Sequence, residues 1–125
     1  MEENTVSYEI RGCIFKVYNS LGPGLLESVY EAALAYELQE KGFRVQTQVP
    51  VPVFYNGIKL DLGFRADMIV ENKVIIEIKS ADNIAEVHHK QVLTYLRLTG
   101  IKLGLLVNFN TENIFNSIFR KVNGL

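Results

Sequence analysis

The segment from Gly63 to Ser80, GFRADMIVENKVIIEIKS, constrains the fold more than any other part of the chain. It reads as two strands joined by a short turn. Alternate residues of a strand share a face. In the second strand Val74, Ile76 and Ile78 lie on one face, and Ile75, Glu77 and Lys79 on the other. In the first strand Asp67 is in phase with Arg65 and Ile69, against Ala66, Met68 and Val70. Two carboxylates and a lysine inside so apolar a hairpin are costly to bury unless something pairs with them. A divalent cation is one such partner.

The length of the turn decides whether the acids meet. If Glu71, Asn72 and Lys73 form a three-residue loop, Val70 pairs with Val74 and Asp67 falls opposite Glu77. Opposed residues share a face with Cβ atoms roughly 4.5–5.5 Å apart, close enough for one ion to touch both. A two-residue loop would split the two acids between faces unless a bulge restored the phase. Asn72 tolerates the left-handed backbone that three-residue hairpins need, so the longer loop is the expectation.

The remaining elements follow from periodicity and breakers. A first helix, capped by Asn4 or Thr5, runs to about Ser20 on a stripe of Val6, Ile10, Cys13, Ile14, Val17 and Leu21. Gly22-Pro23-Gly24 breaks it. A second helix starts near Gly24 or Leu25 and ends at Lys41-Gly42, with Leu26, Val29, Tyr30, Ala33, Leu34 and Leu38 facing the core. Glu27 sits in its first turn, where the helix dipole alone favours a carboxylate.

Phe43 to Val53 reads as a strand that Pro50 and Pro52 confine to an edge or break. Asn56-Gly57 is a hairpin turn, and Ile58 to Leu62 returns. A third helix spans Ile84 or Ala85 to about Thr99, with Val87, Val92, Leu93, Leu96 and Leu98 as its core face and Gln91 and Tyr95 four residues apart. The run from Lys102 to Phe109 is a strand buried on both faces. The tail from Ile114 to Val122 suits helix or strand, with strand preferred. A helix between strands permits a parallel crossover while the hairpins are antiparallel. The fold class is therefore α/β, a mixed central sheet flanked by helices.

With 125 residues the chain is read as one domain, 1–125. Thirteen Lys and Arg against fourteen Asp and Glu argue against a strong non-specific polyanion binder. A single cysteine, Cys13, allows no internal disulfide and points to a reducing cytoplasm. There is no membrane-spanning run and no signal-peptide core in the acidic N-terminus.

Asp67 followed by Glu77-Ile78-Lys79 resembles the D…(D/E)-x-K signature of the PD-(D/E)XK nuclease superfamily. Glu27 on a preceding helix, Gly63-Phe-Arg-Ala-Asp67, and Gln91-Val-Leu-Thr-Tyr95 on the helix after the core resemble the RecB-like branch. Gly24-Leu-Leu-Glu27-Ser-Val-Tyr30 is similar to the motif that names the GxxExxY proteins. Ala66 stands where the superfamily usually has proline. The resemblance implies a restriction-endonuclease-like core and hydrolysis of phosphodiester bonds in DNA with Mg²⁺ or Mn²⁺. It implies that Asp67, Glu77 and the backbone carbonyl of Ile78 are metal ligands, with Glu27 holding a water or a second ion. Hard oxygen donors suit such ions. Lys79 would orient water or stabilise the developing charge. Gln91 and Tyr95 would brace Lys79 or touch the phosphate backbone. Arg65 could contact phosphate, and Tyr30 would close over the site from the core.

The alternative is a module of the same fold, weak or inactive in catalysis, that binds nucleic acid or a protein partner. A chain this small could also need a homodimer to enclose a duplex. Without the other motifs, Glu77 and Lys79 would read as a solvated strand face with a weak ion pair. His88 and His89 are adjacent on a helix and cannot face one metal together.

Overall fold

A computed structural model describes residues 1–125. Helices α1 (Glu3–Leu21) and α2 (Glu27–Glu40) come first, followed by β1 (Val45–Pro50), β2 (Val53–Tyr55) and β3 (Ile58–Leu60). The central hairpin is β4 (Arg65–Val70) and β5 (Val74–Lys79). Helix α3 (Glu86–Thr99), β6 (Leu103–Asn108), a 3₁₀ turn (Ile114–Ser117) and β7 (Ile118–Val122) complete the chain. Five strands form one mixed sheet in the order β1-β4-β5-β6-β7. Only β5 and β6 are parallel, joined by the α3 crossover, and the other neighbours are antiparallel. This is the α/β, restriction-endonuclease-like architecture.

The central hairpin has the three-residue loop. Val70 pairs with Val74, Ile69 with Ile75 and Met68 with Ile76. Both Glu71 and Asn72 adopt the left-handed conformation the loop requires. The Glu71 side chain further clamps the turn by accepting the Arg44 N–H at 2.6 Å.

The two faces of the sheet carry different helices. Val74, Ile76 and Ile78 join Met68 and Val70 against the α1 stripe and Tyr30, Leu34 and Leu38 of α2. On the opposite face Ile69 and Ile75 pack with Tyr95 and Leu96 of α3. Strand β6 is buried along its whole length, as the unbroken apolar run requires. Cys13 is buried in the core, and burial pushes its thiol up. No helix is long and apolar enough to cross a membrane.

Several boundaries differ from the sequence expectation. Helix α1 starts at Glu3, with Glu2 rather than Asn4 or Thr5 at its cap. Helix α2 starts only at Glu27, because Gly22 and Gly24 hold left-handed backbone and Leu26 is still extended. Leu21, Leu26 and Val29 are exposed. Helix α3 begins at Glu86, and Val87 and Leu98 are also exposed rather than core. Strand β1 lies at the sheet edge and stops at Pro50, after which β2 and β3 form a separate hairpin. The prolines confine β1 to the edge and also end it. In the tail, Ile114–Ser117 is helical and Ile118–Val122 is strand, so both readings are true in sequence.

Gly104 is where α3 approaches the sheet. A Cβ there would meet Val92 Cγ1 at 2.6 Å. Replacing Gly104 with alanine is expected to cost about 1–3 kcal/mol by overpacking. Urea denaturation checks this, and the added change Val92→Ala should recover most of the loss.

Candidate active site

Strands β4 and β5 part just beyond the Met68–Ile76 pair, and two carboxylates fill the fork. Glu77 accepts the Asp67 N–H at 2.6 Å, and Asp67 accepts the Ile78 N–H at 2.8 Å. Each acid thus takes a backbone donor of the opposite strand. Successive peptide groups of a strand point to opposite neighbours. The Lys79 carbonyl accepts from Phe109 on the β6 side, while the Ile78 N–H reaches Asp67 on the β4 side. The Ile78 carbonyl therefore faces the fork. Asp67, Glu77 and Ile78, predicted as one donor set, are brought together.

On the α2 side the fork opens into a cavity of about 310 Å³ lined by Glu27, Ser28, Glu31, Gln48, Asp67 and Ile78. Glu27 lines this cavity together with Asp67 and Ile78, and its charge acts on Asp67. Its carboxylate accepts the Ser80 N–H at 3.2 Å, and Ser80 Oγ donates to the Leu25 carbonyl at 2.6 Å. These bonds tie the α2 N-terminus to the end of β5. Glu31, one turn further along α2, is an acid that the sequence reading missed. Gln48, also missed, donates to Glu31 at 2.7 Å and to Asp67 at 3.5 Å. Gln48 falls opposite Asp67 in the β1–β4 register and has a φ of 51°. Such backbone is rare for a residue with a full side chain and concentrates at functional sites. The signal for Glu31 was its spacing of four from Glu27, which puts both on one helix face. No pattern in the sequence announces the unusual backbone of Gln48.

On the α3 side a groove of about 490 Å³ is lined by Lys79, Phe64, Val87, His88, Lys90, Gln91, Thr94 and Tyr95. The Gln91 amide donates to the Tyr95 hydroxyl at 3.1 Å, so these two brace one another beside Lys79. Arg65 is exposed and donates to the Gln48 carbonyl at 3.3 Å. Tyr30 does not reach the site. It is fully buried, stacks on Phe109 at 4.3 Å, donates to the Gly22 carbonyl and accepts the Leu25 N–H. Its work is to lock the turn before α2, which removes it from the substrate-contacting set. His88 accepts the Ala85 N–H at 3.3 Å and so helps to start α3, and His89 packs edge-on against Phe119.

The family model of the PD-(D/E)XK nuclease superfamily matches residues 4–121. The chain belongs to that superfamily. Among solved structures, the crystal structure of SSO0001 resembles this PD-(D/E)XK chain with a TM-score of 0.57 and 26% identity. The match covers 79% of this chain and 51% of that one, so the chain spans about half of its length. No curated protein sequence matches. PD-(D/E)XK nucleases generally use divalent metals, and the donor chemistry here fits one. Mg²⁺ is held by one or two carboxylates and otherwise keeps its waters, which is the number of acids the fork holds. No three acidic, histidine or cysteine side chains form a ready-made ion cage.

Electrostatics of the fork point the same way. Glu77 is 3% exposed, and burial followed by the Asp67 charge pushes its carboxyl up to about 8. Burial also raises Asp67, against the opposing pull of the Ile78 N–H and the Lys79 charge. Glu31 is raised by burial, with its Gln48 bond opposing. A raised carboxyl pKa means that the folded state holds a proton the unfolded chain has released. Glu77 therefore imposes no penalty below its ordinary 4.5 and a growing one as pH rises to about 8. In metal-free buffer Glu77→Gln should stabilise the protein at pH 8 by a few kcal/mol, an order of magnitude set by linkage, and have little effect near pH 4. Denaturation at the two pH values measures it, and an equal effect at both would contradict the assignment.

Proposed function

We propose that the protein is a divalent-metal-dependent nuclease that hydrolyses phosphodiester bonds in DNA. The observation that carries this reading is the fork itself, where two carboxylates and one backbone carbonyl converge with Lys79 two residues beyond Glu77. In it Asp67, Glu77 and the Ile78 carbonyl would hold Mg²⁺ or Mn²⁺. When bound, the ion polarises the phosphoryl oxygens and acidifies water. Lys79 forms no ion pair within the protein. Its ammonium is thus free to face a phosphate and to stabilise the charge that develops during displacement. Gln91 and Tyr95 hold the wall beside it. Glu27 fixes the end of β5 through Ser80, and Glu31 with Gln48 keeps Asp67 oriented. Homodimerisation or a protein partner would extend the contact with a duplex, and the reducing cytoplasm suits the free Cys13 thiol.

A second reading is a module of the same fold that binds without turnover. The net charge of −1 favours it, since efficient capture of a nucleic-acid substrate draws on many Lys and Arg contacts. Incubation with Mn²⁺ and single-stranded, duplex and nicked DNA decides between them. The nuclease reading predicts cleavage that Asp67→Ala abolishes and Lys79→Ala lowers by about 10²–10³-fold, the usual scale for losing one charge-stabilising group. Cleavage that survives both changes would refute it. Manganese binding without cleavage of any substrate would establish the second reading.

A further inference from the structure

The two sides of the fork differ in charge. The α2 cavity presents Glu27, Glu31 and Asp67. The α3 groove holds Lys79, Lys90 and His88 and is lined by no acid. Its other feature is an aromatic corner. Phe64 is 40% exposed, and its ring sits 6.3 Å from that of buried Tyr95 at a tilt of 58°. The Phe64 carbonyl accepts the Val51 N–H at 2.8 Å, which anchors the ring's backbone to the chain just beyond β1. Phe64 also lines a second groove with Lys59 and Arg65, where Asp61 is the single acid. Basic groups therefore flank the exposed ring on both sides.

We infer that the α3 groove binds an unpaired stretch of DNA, with one base stacked on Phe64 and its phosphates met by Lys79 and Lys90. A duplex keeps its bases stacked inside and offers an aromatic ring only its phosphates and base edges. An unpaired base can turn out and lie on the ring, as single-strand binders arrange through aromatic platforms beside basic groups. A net charge of −1 leaves little for broad electrostatic adhesion to a duplex, so a short contact must draw on stacking. The groove has ample room for a nucleotide. The preferred substrate is then a single strand, a flap or a frayed end rather than continuous duplex. This rests on the nuclease reading of the fork and narrows its substrate.

The chain contains no tryptophan, so Phe64→Trp places a lone reporter in the groove. The full chain in EDTA, where no turnover occurs, is titrated with a short mixed-sequence DNA strand and with the blunt duplex made from it. Stacking predicts quenching of the tryptophan by the single strand and little by the duplex. In anisotropy, Phe64→Ala should weaken single-strand binding roughly five- to hundredfold, the range seen for removing a stacking platform, and Phe64→Trp should restore it. Unquenched fluorescence at saturating strand, or equal affinity for strand and duplex, would overturn the inference. Either result, together with metal-dependent cleavage lost in Asp67→Ala, leaves the nuclease reading standing. Quenching without cleavage by the wild type leaves the groove standing and removes the turnover.

Discussion

Two carboxylates share the fork between β4 and β5, each held by a backbone N–H from the other's strand. This exchange joins the fold to its chemistry. In an unbroken ladder those N–H groups would find carbonyl partners, and the acids would have no place in so apolar a hairpin. The exchange satisfies the donors and opens the fork. It also leaves two acids close together with too little solvent to ionise both readily. Burial and mutual repulsion hold Glu77 protonated at neutral pH. A small hard cation relieves that conflict more completely than any neighbouring side chain here, since Lys79 only partly offsets it.

The surrounding elements keep this arrangement in place. Asn108, buried at the end of β6, brackets the Ala81 peptide with bonds of 3.1 and 2.9 Å and holds the exit from β5. Ser80 and Glu27 bind the start of α2 to the same exit. Gln48 reaches the fork from the edge strand. The close approach at Gly104 lets α3 bring Gln91 and Tyr95 beside Lys79. The result is a fork with an acidic wall on the α2 side and a basic, aromatic wall on the α3 side.

Much of this was legible in the residues because the sheet has a period of two. Once Val70 is paired with Val74, the meeting of Asp67 and Glu77 follows by counting. The buried β6 strand and the Asn56-Gly57 hairpin follow from equally local rules. What periodicity could not supply lies in long-range contacts. Glu31 and Gln48 meet Asp67 only after α2 and β1 have docked beside it. Leu26, Val29, Val87 and Leu98 have helical spacing and still face outward; Leu26 and Val29 lie at the start of α2, whose position depends on left-handed glycines and an extended cap. Tyr30 belongs to a motif that pointed at the site, yet its hydroxyl is engaged by a turn.

Calorimetric titration of the metal-free protein with Mn²⁺ near pH 7, in buffers of different ionisation enthalpy, tests the central claim most directly. If Glu77 holds a proton until an ion replaces it, binding should release about one proton per site. Both the heat and the proton release should disappear in Glu77→Ala. Manganese binding that releases no proton, or that persists unchanged in that variant, would contradict the account.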